Sequence, residues 1–238
     1  NISFEDMYQL PWENGYAGIL PASDFYDPSR GCGLERGRCK RTYARMIHLL
    51  SNGSPVDAYL DGKLFSHALN YGADTEYIGV RPGHHRLLLY PAGRTINPLF
   101  SKTLYIPGRS IVSLVFYGDL SDMAVMAVDD KTAVHSGRAK VKFVHLSPDT
   151  PALDLMSDMS VWFNQVIYQE STEYLPVTAG HETLSLRISE TGQILLTMPD
   201  VLLGGKKAYT VYTTGMINGL PPLRLLVTAD GGGKMHID

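Results

Sequence analysis

Met46-Ile47-His48-Leu49 and Phe143-Val144-His145-Leu146 are two copies of one pattern, 97 residues apart. Working outward from them, residues 44–118 fall on 141–215 without a gap. Asp57 lands on Asp154, Thr75-Glu76-Tyr77 on Thr172-Glu173-Tyr174, and Gly83-His84 on Gly180-His181. Gly108 lands on Gly205 and Gly118 on Gly215. Sixteen positions are identical, and most of the rest keep their apolar or polar character. A repeat of this length sets the architecture: two similar units, each large enough to hold a core.

Within each unit the apolar period is two. Val56, Ala58 and Leu60 alternate with Asp57 and Tyr59, and Asp61-Gly62 then makes a tight turn before Leu64-Phe65. In the second copy Leu184, Leu186 and Ile188 alternate with Ser185 and Arg187. Pro and Gly break the chain about every ten residues, giving about seven short strands per copy, the pattern of an antiparallel sandwich. No stretch carries a sustained apolar pattern at helical spacing, so a Rossmann sheet or an α/β barrel is excluded. The expected fold is all-β: two tandem antiparallel β-sandwiches, immunoglobulin-like or transthyretin-like, with little helix. The expected units are a first sandwich over 42–132 and a second over 137–230. They are joined by a polar linker, Asp129–Gly137, expected to permit limited bending. Residues 1–41 form an arm outside the repeat, and 231–238 a flexible tail.

Composition narrows the function. With 21 Lys and Arg against 24 Asp and Glu, the net charge is −3. That argues against a broad basic footprint for nucleic acid or for anionic lipid. No apolar run is long enough to be a transmembrane helix. The chain begins at Asn1 rather than Met, which fits an N-terminal segment either cleaved or left out ahead of it. The arm is rich in aromatic and Pro residues, among them Trp12 and Phe25, and suits either draping over one sandwich or contacting a partner. The two cysteines, Cys32 and Cys39, lie in its Gly-rich segment. A local disulfide in an exported protein is the preferred reading, beside two unrelated thiols or half of a zinc site.

The candidate site residues are the polar positions both copies share. His48 and His145 each precede a loop of Ser, Asn, Asp and Pro residues, where an imidazole can hold the loop backbone. The competing reading pairs them with Asp57 and Asp154 for acid–base work or metal ligation, but neither copy keeps a nucleophile in a recognisable motif. His84 and His181 open a strand after a turn and are expected to be exposed. Tyr77 and Tyr174 are expected in the sandwich core or at its corner, with Glu76 and Glu173 outside. No phosphate loop, dinucleotide fingerprint, metalloprotease motif or nucleophile elbow is present, and no cofactor is expected. The 14 tyrosines suit carbohydrate or protein contact, or an ordinary β surface.

Lys142–Asp154, with its His-Leu-Ser-Pro-Asp-Thr-Pro core, resembles domain-of-unknown-function family 4397. So do the stretch at 172–180 and Tyr90-Pro91-Ala92-Gly93-Arg94-Thr95. The resemblance covers about 43–230. It implies a bacterial, exported or surface-associated protein of tandem β-sandwiches with no established activity, so it assigns no catalytic residue. The first copy departs from it, with Ser51-Asn52-Gly53-Ser54 where the motif is matched in the second. The resulting expectation is a non-catalytic protein of the cell envelope with a structural, adhesive or ligand-presenting role. Its partners would be an envelope protein or a carbohydrate. The alternatives are a carbohydrate-binding module using tyrosines and Trp162, and a metal-dependent or His/Asp enzyme.

Overall fold

A computed structural model describes residues 42–51, 53–119, 121–131, 137–158 and 160–231. The arm with Cys32 and Cys39, and nearly all of the tail, lie outside the described residues.

Sixteen strands follow one another with no helix among the described residues. The first copy supplies β1 (Thr42–Leu50), β2 (Val56–Leu60), β3 (Lys63–Leu69), β4 (Ile78–Val80), β5 (Gly83–Pro91), β6 (Phe100–Ile106), β7 (Ile111–Gly118) and β8 (Ala124–Asp129). The second supplies β9 (Ala139–His145), β10 (Leu153–Ser157), β11 (Ser160–Val166), β12 (Leu175–Val177), β13 (Gly180–Ile188), β14 (Ile194–Leu203), β15 (Ala208–Thr214) and β16 (Arg224–Asp230). Each copy folds into two four-stranded sheets. In the first they are ordered β4-β1-β7-β8 and β3-β2-β5-β6, and in the second β12-β9-β15-β16 and β11-β10-β13-β14.

The sandwiches are not wholly antiparallel. β1 pairs with β7 in parallel, as β9 does with β15. The chain lays down its first strand inside one sheet, builds all four strands of the other and one edge strand of its own, and returns beside the first strand in the same direction. Parallel pairing needs a long connection, and the intervening strands provide it.

Each sandwich has its own core. Ala44, Met46, Leu50, Leu87, Leu89, Leu114 and Phe116 belong to the first, and Val141, Phe143, Leu153, Leu155, Leu184, Leu186 and Val211 to the second. A third apolar layer contains Ile47, Leu49, Val115, Tyr117, Val128, Val144, Leu146 and Tyr212, drawn from both copies. It places the outer faces of sheets β4-β1-β7-β8 and β12-β9-β15-β16 against each other. β1 is therefore buried along its whole length, with alternate side chains in the sandwich core and in the layer between the copies. This explains a strand apolar on both faces, interrupted by Arg45 and His48. Burying each large apolar side chain of the shared layer contributes roughly 1.5–3 kcal/mol. Such a layer opposes the bending expected of the linker.

Candidate functional site

His48 and His145 close the loops that follow them. His48 Nδ1 accepts a hydrogen bond from Leu50 N at 3.1 Å, which leaves Nε2–H to donate to the Ser54 carbonyl at 2.8 Å. His145 Nδ1 faces Ser147 N at 3.3 Å, and its Nε2 lies 3.2 Å from the Pro151 carbonyl and 3.0 Å from Thr150 Oγ1. Both imidazoles are fully buried, and burial lowers their pKa values. A protonated ring would also lose the Nδ1 acceptor. Neither histidine hydrogen-bonds to Asp57 or Asp154.

As pH falls below about 6.5, the unfolded chain takes up protons that folded His48 and His145 resist, so stability falls. His85 acts oppositely: its bond to Asp61 raises its pKa, so its contribution is present at low pH and fades as pH rises. We expect the His48→Gln/His145→Gln variant to lose ~1–2 kcal/mol less stability than the unaltered chain between pH 7.5 and 5.5. Urea unfolding at both pH values measures this, and equal losses would show that the two rings protonate freely in the fold.

Asp57 and Asp154 hold bulges. In both copies the register shifts where the second strand meets the third. The residue at the irregularity, Ala68 or Gln165, takes a positive φ of 48° or 54°. Asp57 Oδ1 accepts from Ala68 N at 2.7 Å, and Oδ2 accepts from Gly93 N at 2.8 Å. Asp154 Oδ1 accepts from Gln165 N at 2.9 Å and Ser189 Oγ at 2.6 Å, and Oδ2 from Arg187 Nε at 2.8 Å. Burial disfavours the Asp154 charge, yet these donors hold its pKa below the usual value.

The Thr-Glu-Tyr motif is divided among three tasks. Thr75 Oγ1 accepts from Met46 N at 3.0 Å and Thr172 Oγ1 from Phe143 N at 2.9 Å, tying each segment to the first strand of its copy. Glu76 and Glu173 are exposed, as expected, with Glu173 3.8 Å from Lys131. Tyr77 and Tyr174 point toward the junction of the copies rather than into a sandwich core. Tyr77 donates to Asp130 Oδ2 and Tyr174 to Asp230 Oδ2, each at 2.7 Å. Tyr77 Oη also accepts from Gly231 N at 3.3 Å, and Tyr174 Oη from Lys131 N at 3.2 Å.

These tyrosines lead to a polar lock that was not anticipated. Asp130 also accepts from Ser113 Oγ, and Asp230 from Thr210 Oγ1, each at 2.6 Å. Tyrosine and hydroxyl thus come from the same copy as the aspartate. The cations cross over. Arg45 of the first copy donates to Asp230 Oδ1 at 2.8 Å, Thr228 Oγ1 at 3.1 Å and the Ala229 carbonyl at 2.9 Å. Lys142 of the second donates to Asp130 Oδ1 at 3.1 Å and to the Asp129 carbonyl at 2.5 Å. The Arg45 guanidinium lies 4.7 Å from the Tyr77 ring centroid, and Lys142 Nζ lies 4.7 Å from that of Tyr174. The four charged side chains are almost wholly buried and balance in charge. Burial and the neighbouring Asp130 raise the Asp230 pKa against the pull of Thr210, Arg45 and Tyr174.

His84 and His181 are exposed on their strands. The His84 ring lies 5.1 Å from that of Tyr105, and His181 Nδ1 is 2.5 Å from Asp200 Oδ1. No group of three His, Cys, Asp or Glu residues among the described residues could hold a metal ion. Most tyrosines among the described residues are not fully exposed: Tyr77, Tyr90, Tyr117, Tyr209 and Tyr212 are buried, while Tyr105 is exposed.

An open cleft of about 370 Å³ lies in the second copy, lined by residues of the edge strands β11 and β12. Trp162, Leu175 and Val177 supply its apolar wall. Ser157 and Glu182 lie deeper, the serine hydroxyl donating to the carboxylate, and Arg138, Asp158, Ser160 and Thr178 stand at the exposed rim. This site is specific to its copy. At the aligned positions the first copy has Phe65 for Trp162, Leu60 for Ser157 and His85 for Glu182. There His85 is clamped, with Nδ1 2.6 Å from Asp61 Oδ2 and Nε2 2.7 Å from the Arg81 carbonyl.

Among known proteins, the model of a family described as domain of unknown function DUF4397 matches residues 42–156 and 139–235. No curated protein sequence matches the chain. Solved structures are similar only distantly. A family 26 carbohydrate-binding module from Eubacterium rectale is 13% identical, with a TM-score of 0.27 over 78% of this chain and 95% of its own. A streptococcal virulence factor that binds α-glucan is 11% identical, with a TM-score of 0.26 over 72% and 92%. The Bacillus anthracis TIE protein is 8% identical, with a TM-score of 0.24 over 74% and 34%. At these scores none of the three bears on function.

Proposed function

For this chain, which belongs to the DUF4397 family, we propose a non-catalytic role as an exported, rigid platform that presents a ligand-binding surface at the cell envelope. One observation carries the reading. The buried polar residues that the copies share are engaged in holding the protein itself: the histidines on loop backbones, the aspartates on bulges, the tyrosines on the lock. A catalytic histidine needs a free nitrogen aimed at a substrate or nucleophile. Both nitrogens of His48 face partners of its own loop. The family resemblance supports export, and binding then falls to surfaces where the copies differ.

The test is cosedimentation of the purified chain with isolated bacterial cell-wall sacculi and with intact cells. The expected result is saturable retention on at least one of them. His48→Gln/His145→Gln, assayed at a temperature where it is folded, should bind equally well. No retention on either material would contradict the proposal.

A further inference from the structure

We propose that the Trp162 cleft is a binding site for a neutral carbohydrate, an inference that rests on the platform reading above. A sugar ring offers a weakly apolar C–H face and a rim of hydroxyls, each able to donate and to accept. The cleft matches both. Trp162, partly buried and packed against the second core, lines the cleft with its indole. A large, rigid aromatic surface gives contact area at little cost in conformational entropy. Around it stand acceptors, Glu182 and Asp158, and donors, Arg138, Ser160 and Thr178. A ligand of one sign would meet a repelling group in this mixed rim: Arg138 for a cation, Asp158 and Glu182 for an anion. A neutral polyol meets none.

Two further observations support the assignment. The Glu182 carboxylate lies on β13 with its Ser157 partner inside the sandwich, where the first copy uses His85 to tie a turn shut. At this place the copies differ in residue type, and in the second copy it is open. The volume, about 370 Å³, is at the small end of the range for ligand pockets. It suits one or two sugar rings of a longer chain, so affinity per site is expected to be weak, with Kd on the order of 0.1–1 mM.

Intrinsic fluorescence and calorimetric titration test this with maltohexaose, cellohexaose and chitohexaose as probes, beside a lysine-rich peptide and a heparin hexasaccharide. The chain has two tryptophans, so Trp12→Phe isolates the Trp162 signal. The expected result is saturable binding of at least one neutral hexasaccharide with a change in Trp162 emission. Trp162→Ala should weaken it at least tenfold. Glu182→Gln, which keeps size and an acceptor for Ser157, should weaken it severalfold at unchanged Tm. Binding unaltered in Trp162→Ala, or confined to the peptide or to heparin, would overturn the assignment. So would an absence of saccharide binding in a chain still retained on sacculi or cells, and in that case the platform reading stands. Absence of both kinds of binding would overturn both.

Discussion

Replacing Arg45 by leucine is expected to cost about 3–5 kcal/mol of stability, because it leaves a carboxylate buried without its cation. Arg45 neutralises Asp230 at 2.8 Å and lies 3.9 Å from Asp130. Without it, Lys142 alone faces two buried aspartates. A loss of that size is a large share of the net stability of an ordinary domain. The partner substitution separates the cause: Arg45→Leu with Asp230→Asn removes both charges of the pair and should recover about half of the loss. Urea unfolding at pH 7 measures each variant. A cost below about 1 kcal/mol for Arg45→Leu would mean that the lock is solvated rather than buried.

The second large effect is expected at the repeated glycines. Gly118 ends β7 and Gly215 directly follows β15, with φ of +91° and +82°, where a side chain is strained. A Cβ added to Gly118 would stand 2.1 Å from the Asp122 carbonyl oxygen, and one on Gly215 would stand 2.2 Å from that of Pro222. Both obstacles are backbone, so no rotamer change relieves them. Alanine at either position should cost about 2–4 kcal/mol. Gly192 is the control: its φ is also positive, at +71°, but nothing lies within 4 Å of an added Cβ. Gly192→Ala should therefore cost only about 1 kcal/mol. Equal losses at Gly192 and Gly215 would show that dihedral strain, not the close approach, constrains the repeated glycines.

What was legible in the chain follows from where its information is local. Period-two alternation marked the strands, and the repeat marked two sandwiches. His48 beside its Ser-Asn-Gly-Ser-Pro loop could be read as a loop clamp because its partners lie within six residues of it. The lock could not be read this way. Arg45, Ser113 and Tyr77 align with Lys142, Thr210 and Tyr174 at the 97-residue offset, but Asp130 does not align with Asp230. Eight residues separate Gly215 from β16 where five separate Gly118 from β8, so a gapless comparison sets Asp130 against Val227. A clue was nonetheless present: a cation at the same place in the first strand of both copies, Arg45 and Lys142, each with an apolar residue two positions on, is the sign of a paired buried charge. The parallel pairing of β1 with β7 depends on which strand the chain returns beside, which alternation does not encode. The cleft was half legible. Trp162 stood out by type, but Glu182 and Ser157 are not shared between the copies, and a search for shared residues passes over them.

The face-to-face packing carries the account, since a rigid platform requires that the two sandwiches not fold as independent beads. Differential scanning calorimetry of the unaltered chain at pH 7 measures this directly. One transition is predicted, with a calorimetric enthalpy matching the van't Hoff enthalpy for the whole two-sandwich unit. Two resolved transitions in the unaltered chain, each with the enthalpy of a single sandwich, would contradict it.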